Sequence, residues 1–275
     1  MKKDIFSPAL DWMKAHKQVT YGPESFQEYL VKNNLPITNT AQNISIDSLE
    51  KLNQVLKSEK VMVFRLGQSD VGRGTQFALR KSESLEDYFL IDEEVFTDLG
   101  GQEIITEESK LLPFRVLKYL TETSYVNLAI SSGLITLALG VQEISPPATS
   151  QSTFTFRVKL HSQDDEIYIH NNGQVEIDSL FLANDNGKQK LYIVEAKSDD
   201  IHKSLSKHKL VYPVLSVANN VPQEIDIVPV YIKVNRSKDF IHFNILECSF
   251  PDPRNQTTAI NELQPRKHSY IRIKF

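Results

Sequence analysis

The spacing of apolar positions changes along the chain, and with it the elements they predict. Residues 23–32 place Phe26, Tyr29 and Leu30 at helical spacing behind Pro23, which predicts a first helix. Residues 47–57 set Leu49, Leu52, Val55 and Leu56 on one face behind a cap at Ser45 or Asp47, predicting a second. Strands are predicted over 61–66 and 76–80, with 67–74 as the loop of a hairpin. Two helices and a hairpin are compatible with a winged-helix DNA-binding unit, and equally with small helical domains of other kinds. Helices follow over 111–120 and 124–139, and Pro146-Pro147 stops the second. Beyond Ser150 the period becomes two. Phe154, Phe156 and Val158 alternate with polar residues, as do Ile167 and Ile169. Strands are predicted over 175–183 and 190–196, joined by the turn Asn184-Asp185-Asn186-Gly187. A helix over 201–218, kinked at Pro213, precedes strands over 225–234, 240–246 and 270–275. Such an order predicts an α/β or α+β layer arrangement.

Composition adds limits. Hydrophobic residues make 40% of the chain and charged residues 24%, the balance of a soluble globular protein. Cys248 is the sole cysteine, which rules out an intrachain disulfide and suits a reducing cytoplasm. The start, MKKDIFSPAL, has no apolar run behind its lysines and does not read as a signal peptide. Residues 126–141 form the longest apolar stretch, shorter than the ~20 residues of a membrane span, so a buried helix and no membrane partner are expected. The net charge is −4, but residues 83–108 carry ten Asp/Glu and no Lys/Arg. That run is expected to be a solvated surface segment, and the remainder carries +6. The charge distribution thus permits a DNA partner without indicating one.

The residues that suggest chemistry lie in two adjacent predicted strands. In Glu176-Ile177-Asp178 the two carboxylates share a face, and in Glu195-Ala196-Lys197 a carboxylate and a lysine do. Pairing the strands as a hairpin would bring Asp178 near Glu195 and Lys197. Carboxylates and a lysine at the ends of otherwise apolar strands are expensive to desolvate without a purpose. Taken alone, charges at period two are also ordinary on the solvent face of a strand. Mg²⁺ prefers hard oxygen ligands and is often held by one or two carboxylates plus a substrate phosphate.

This pair of segments, with sixteen residues between them, resembles the bipartite signature of the PD-(D/E)XK nuclease superfamily. Ala129-Ile130-Ser131-Ser132-Gly133-Leu134 and Leu210-Val211-Tyr212-Pro213 extend the resemblance to type II restriction endonucleases. It covers roughly residues 122–234. It implies a restriction-endonuclease-like core, a mixed central sheet flanked by helices, over 109–275. Residues 1–108, outside the resemblance, are read as an N-terminal helical and hairpin region, with winged-helix-like DNA recognition as one candidate role. It further implies Mg²⁺ held by Asp178 and Glu195, Lys197 as the catalytic lysine, and hydrolysis of DNA by activated water. Glu176 is either a further ligand or a solvent-exposed neighbour. The proline that names the motif is replaced by Ile177. The extra acidic ligand that some members carry on the preceding helix could only be Glu122.

Other signals are weaker. Residues 67–75 have P-loop glycine spacing but lack the lysine followed by Ser/Thr, and no helix is predicted after them. Arg73 in that loop is either a DNA contact or a solvated arginine. His170-Asn171-Asn172 lacks the second histidine of a His-Asn-His nuclease, no zinc spacing is present, and no Gly-x-Ser-x-Gly elbow occurs. Lys203, Lys207 and Lys209, with His202 and His208, fall at helical spacing after the site, as a DNA-phosphate face or as a plain solvated helix. The expectation is a cytoplasmic, restriction-type endonuclease of double-stranded DNA, dimeric by the twofold symmetry of a palindrome. A repair or structure-specific nuclease of the same fold, or a non-catalytic DNA-binding protein, are the alternatives.

Overall fold

A computed structural model describes residues 4–69, 74–97, 100–198 and 201–275. The N-terminal part runs α1 (Ser7–His16), β1 (Thr20–Ser25), α2 (Phe26–Lys32), α3 (Thr40–Ile44), α4 (Gln54–Ser58), β2 (Val61–Gln68) and β3 (Thr75–Lys81). Next come β4 (Phe89–Ile91), α5 (Asp92–Val95), β5 (Gln102–Ile104), α6 (Glu108–Arg115), α7 (Glu122–Ser131) and α8 (Leu134–Leu139). The C-terminal half is β6 (Ala148–Val158), β7 (Tyr168–Asp185), β8 (Lys188–Lys197), β9 (Ser204–Ser206), α9 (His208–Val217), β10 (Asp226–Arg236), β11 (Phe240–Ser249) and β12 (Gln264–Lys274).

Ten strands make one mixed sheet, ordered β1-β3-β2-β7-β8-β10-β11-β12-β5, with β6 paired to β7 off that path. β7 and β8 form the expected antiparallel hairpin through the turn at 184–187. β8 and β10 are parallel, so the chain must cross over between them, and α9 is that crossover. Both faces of the sheet are covered. Leu191 and Ile193 of β8 enter a core shared with Leu210, Val211 and Val214 of α9. Tyr192, Val194 and Ala196 enter a second core with Val126 and Ala129 of α7 and Leu134 and Ile135 of α8. Burial on both faces accounts for the continuous apolar run 191–194. The fold is α+β, a large mixed sheet flanked by helices. No helix among the described residues is long and apolar enough to cross a membrane.

Several elements differ from expectation. Pro23 lies in β1, which pairs with β3, and the helix starts at Phe26, where Ser25 Oγ accepts the Glu28 N–H. α1 was not expected. The helix predicted over 47–57 is a 3₁₀ turn at Leu49–Lys51 followed by α4, capped by Asn53. Gly133, at φ 80°, divides the apolar stretch into α7 and α8. The acidic run is not wholly a solvated segment: Tyr88, Phe89 and Leu90 are buried, and β4 pairs with β9. That pairing also removes the first turns of the helix expected from residue 201, which begins only at His208.

The N-terminal hairpin is not a free wing. β2 lies beside β7, with Gly67 opposite Asn171, and one core contains Phe26, Phe64 and Phe77 together with Phe156 and Leu210. The boundary drawn at residue 108 therefore does not separate two cores. Gly67 has a φ of +81°, and a Cβ there would stand 2.1 Å from the Asn171 carbonyl oxygen. Gly67→Ala should therefore lower stability by ~1–3 kcal/mol, read as a fall in the urea midpoint. An unchanged midpoint would mean that the β2–β7 junction is not formed in solution.

Candidate active site

A one-residue irregularity in β7 builds the site. Ser150 of β6 faces Ile177, but Ala148 faces Leu180, so both Asp178 and Ser179 stand opposite Thr149. This is a β-bulge, which re-aims side chains and bends its strand. It also switches the phase of burial. Val175 and Ile177 pack in the α9-side core, whereas beyond the bulge Phe181 and Ala183 pack in the α7–α8 core. Pairing with β8 runs from the turn only as far as Ser179 opposite Val194. The two strands therefore part at Asp178. Its Oδ2 accepts the Ala196 N–H at 2.9 Å, in place of a ladder bond.

On β8, Glu195 and Lys197 share the parity of Leu191 and Ile193 and so face α9. Glu195 is only 1% exposed. Its Oε1 forms ion pairs with Lys197 Nζ at 2.8 Å and Lys209 Nζ at 3.4 Å. Its Oε2 finds no hydrogen-bond partner among the described residues. Lys197 also faces Glu122 Oε2 at 3.6 Å, from the first turn of α7. The same cleft takes in Asp47 and Ser48 beside Lys197, Glu122 and His202. Signs alternate along the chain Asp47, Lys209, Glu195, Lys197, Glu122.

The titration behaviour follows from that arrangement. Burial, then repulsion from Glu195, pushes the Asp178 carboxyl up to about 7. Burial opposes the charge of Lys197, but Glu195 and Glu122 outweigh it and raise its pKa. Attraction to Glu195 raises Lys209 against the cost of burial. Burial and Glu195 raise Glu122, against the pull of Lys197. Burial also works against Asp47, but the Lys51 hydrogen bond and the Lys209 ammonium keep its pKa below the ordinary range.

The sequence-derived candidates separate in space. Asp178, Glu195 and Lys197 come together, and Lys209 joins them at Glu195. Glu176 stays exposed, on the other side of the bulge from its expected partner. Among the described residues no group of three or more His, Cys, Asp or Glu gathers as a ligand set, so Glu176 does not complete one. Lys207 is a correction: it is 4% exposed, caps α9 and donates its backbone N–H to Tyr88. Burial lowers its pKa, and so enclosed an ammonium cannot lie along a DNA backbone. Lys203 is exposed, and its carbonyl accepts the Asp92 N–H. Arg73 lies outside the described residues. Sequence reasoning missed Asp47, whose only local signal was a possible helix cap.

A divalent cation suits this donor set. Two buried carboxylates supply hard oxygens, Glu195 Oε2 lacks a hydrogen-bond donor among the described residues, and burial, then repulsion from Glu195, raises Asp178.

Residues 92–269 match the family described as a domain of unknown function (DUF6997), and the chain belongs to that family. No curated protein matches the chain. The matched segment contains Glu122, Asp178, Glu195, Lys197 and Lys209, while Asp47 lies before it.

The raised Asp178 carboxyl has a defined consequence for stability. Its folded pKa of about 7 exceeds the ordinary 3.8, so between these values the native state binds more protons than the unfolded one. This contribution to stability is full below about pH 4, falls as pH rises, and levels off above about 7. Asp178→Asn should therefore be more stable than the native protein at about pH 8, by on the order of a few kcal/mol, and close to it near pH 4. Urea unfolding of both proteins at the two pH values checks this. A variant less stable at the higher pH would contradict it.

Proposed function

We propose that this protein is a Mg²⁺-dependent endodeoxyribonuclease of restriction type, with a core of the PD-(D/E)XK kind. The observation that carries the reading is the convergence of Asp178, Glu195 and Lys197 where β7 and β8 part. Buried ionised groups are expensive to desolvate, and clusters with perturbed titration concentrate at functional sites. Asp178 and Glu195 would hold the ion, which when bound supplies a Lewis acid for the scissile phosphate. Lys197, kept protonated by its two glutamates, would orient the attacking water and balance charge on the phosphate oxygens. Water would bond to phosphorus as the bond to the leaving oxygen breaks, and the leaving oxygen would take up, through solvent, the proton that the water loses. Lys209 offers a second cation at the same carboxylate. Cutting both strands of a palindrome takes two such centres, so the working species would be a homodimer.

Incubation of the protein with phage DNA and Mg²⁺ tests the reading. Discrete fragments are expected, with cleavage reduced roughly 10²–10³-fold or more in Asp178→Ala and Lys197→Ala. A smear lost in both variants would keep the chemistry and favour a repair or structure-specific nuclease. Uncut DNA in every lane, or cleavage equal in all three proteins, would overturn the reading.

A further inference from the structure

Beside the carboxylate cluster lies a second cleft, and Lys209 belongs to both. Its floor is aromatic. The His170 ring stacks on Phe156 at 4.5 Å and 9°, and Tyr212 lies 4.9 Å from His170 and 5.2 Å from His208. Phe156, His170, His208 and Tyr212 are all buried. Burial holds both imidazoles uncharged, at about 4 for His170 and about 3 for His208. Their Nδ1 atoms are engaged, with the Phe154 carbonyl at 3.3 Å and with Ser206 Oγ at 2.6 Å. The floor is thus aromatic and uncharged, with Tyr212 tilted by 55° to His170 and 53° to His208, and His170 backed by Phe156.

The rim is polar. Arg65 forms no ion pair among the described residues, and its side chain makes one long hydrogen bond, 3.5 Å to Ser45 Oγ. Gln174 and Glu176 are exposed at the mouth, and Asp47 closes the side towards Lys197. A guanidinium, a carboxylate and an amide surround an uncharged aromatic floor. This matches a planar heterocycle with two acceptors on one edge and two donors on the next. Among the four DNA bases, guanine alone has that pattern: O6 and N7 suit an arginine, and N1–H and the N2 amino group suit a carboxylate.

We propose that this cleft receives one unstacked base of the substrate, a guanine, with Arg65 reading O6 and N7 and Glu176 accepting from N1 and N2. The phosphate next to that base would lie against Lys209, one side chain from Glu195. Enzymes that hold a single base this way read its pairing edge and stack its face. Arg65 and Asp47 both precede the family segment at 92–269, so the base would be held jointly by that segment and the N-terminal strands. The inference rests on the nuclease reading for the identity of the substrate. Base binding itself needs no cleavage.

Calorimetric titration of the whole protein, without added metal, with each of the four 2′-deoxynucleoside 5′-monophosphates tests the proposal. The guanine nucleotide should bind at least about tenfold more tightly than the others, the discrimination of one good bidentate contact. Arg65→Ala should abolish that preference. Glu176→Gln, at an exposed position that folding does not need, should reduce it. Equal affinity for all four, no binding at millimolar concentration, or a preference undiminished in Arg65→Ala would each overturn the proposal. The nuclease reading fails separately: guanine preference with uncut DNA sinks only the cleavage, and cleavage without base preference sinks only this cleft.

Discussion

The parting of β7 from β8 at the bulge of Asp178 and Ser179 is the constraint on which the rest of the site depends. β8 is buried on both faces, an environment that disfavours charge, yet it ends in Glu195 and Lys197. Had β7 stayed in register with β8, Asp178 and Ile177 would pair with Glu195 and Ala196. The extra residue instead carries β7 away with β6, and Asp178 caps the freed Ala196 N–H. The parallel partner of β8 is β10, and the crossover between them brings α9, with Lys209, over the same gap. Geometry at the site is thus set by backbone, not by flexible side chains.

The electrostatics are equally constrained. An enclosed carboxylate such as Glu195 costs stability without counter-charges, and two ammoniums lie against it. Those lysines are in turn shared with Glu122 from α7 and Asp47 from the N-terminal part. Three separate stretches of chain are therefore tied to one carboxylate. Asp178 is the exception: its backbone hydrogen bond does not offset burial and the nearby acid, so it is poised near neutrality. A cation bound between the two acids, as proposed, would relieve that repulsion.

How much of this was readable before folding depended on whether the signal was local. The β7–β8 hairpin followed from alternation and a turn of Asn, Asp and Gly, and Glu195 and Lys197 followed from their shared parity. The bulge did not, because an extra residue leaves no mark in Glu176-Ile177-Asp178, and it is why Glu176 and Asp178 end in different surroundings. The late start of α9 reflects pairing of β9 with β4 across more than a hundred residues, which outweighed helical spacing. Lys207 was misplaced for the same reason. Asp47 and Arg65 could not be found from the sequence at all, since each joins the site through contacts distant along the chain.

The central claim is that Asp178 and Glu195 form a divalent-cation site, and titration of the protein with Mn²⁺, followed by the electron paramagnetic resonance of the free ion, tests it most directly. The account predicts saturable binding in the native protein that is lost in Glu195→Gln and strongly weakened in Asp178→Asn. Binding unchanged by either substitution, or no saturable binding in the native protein, would contradict it.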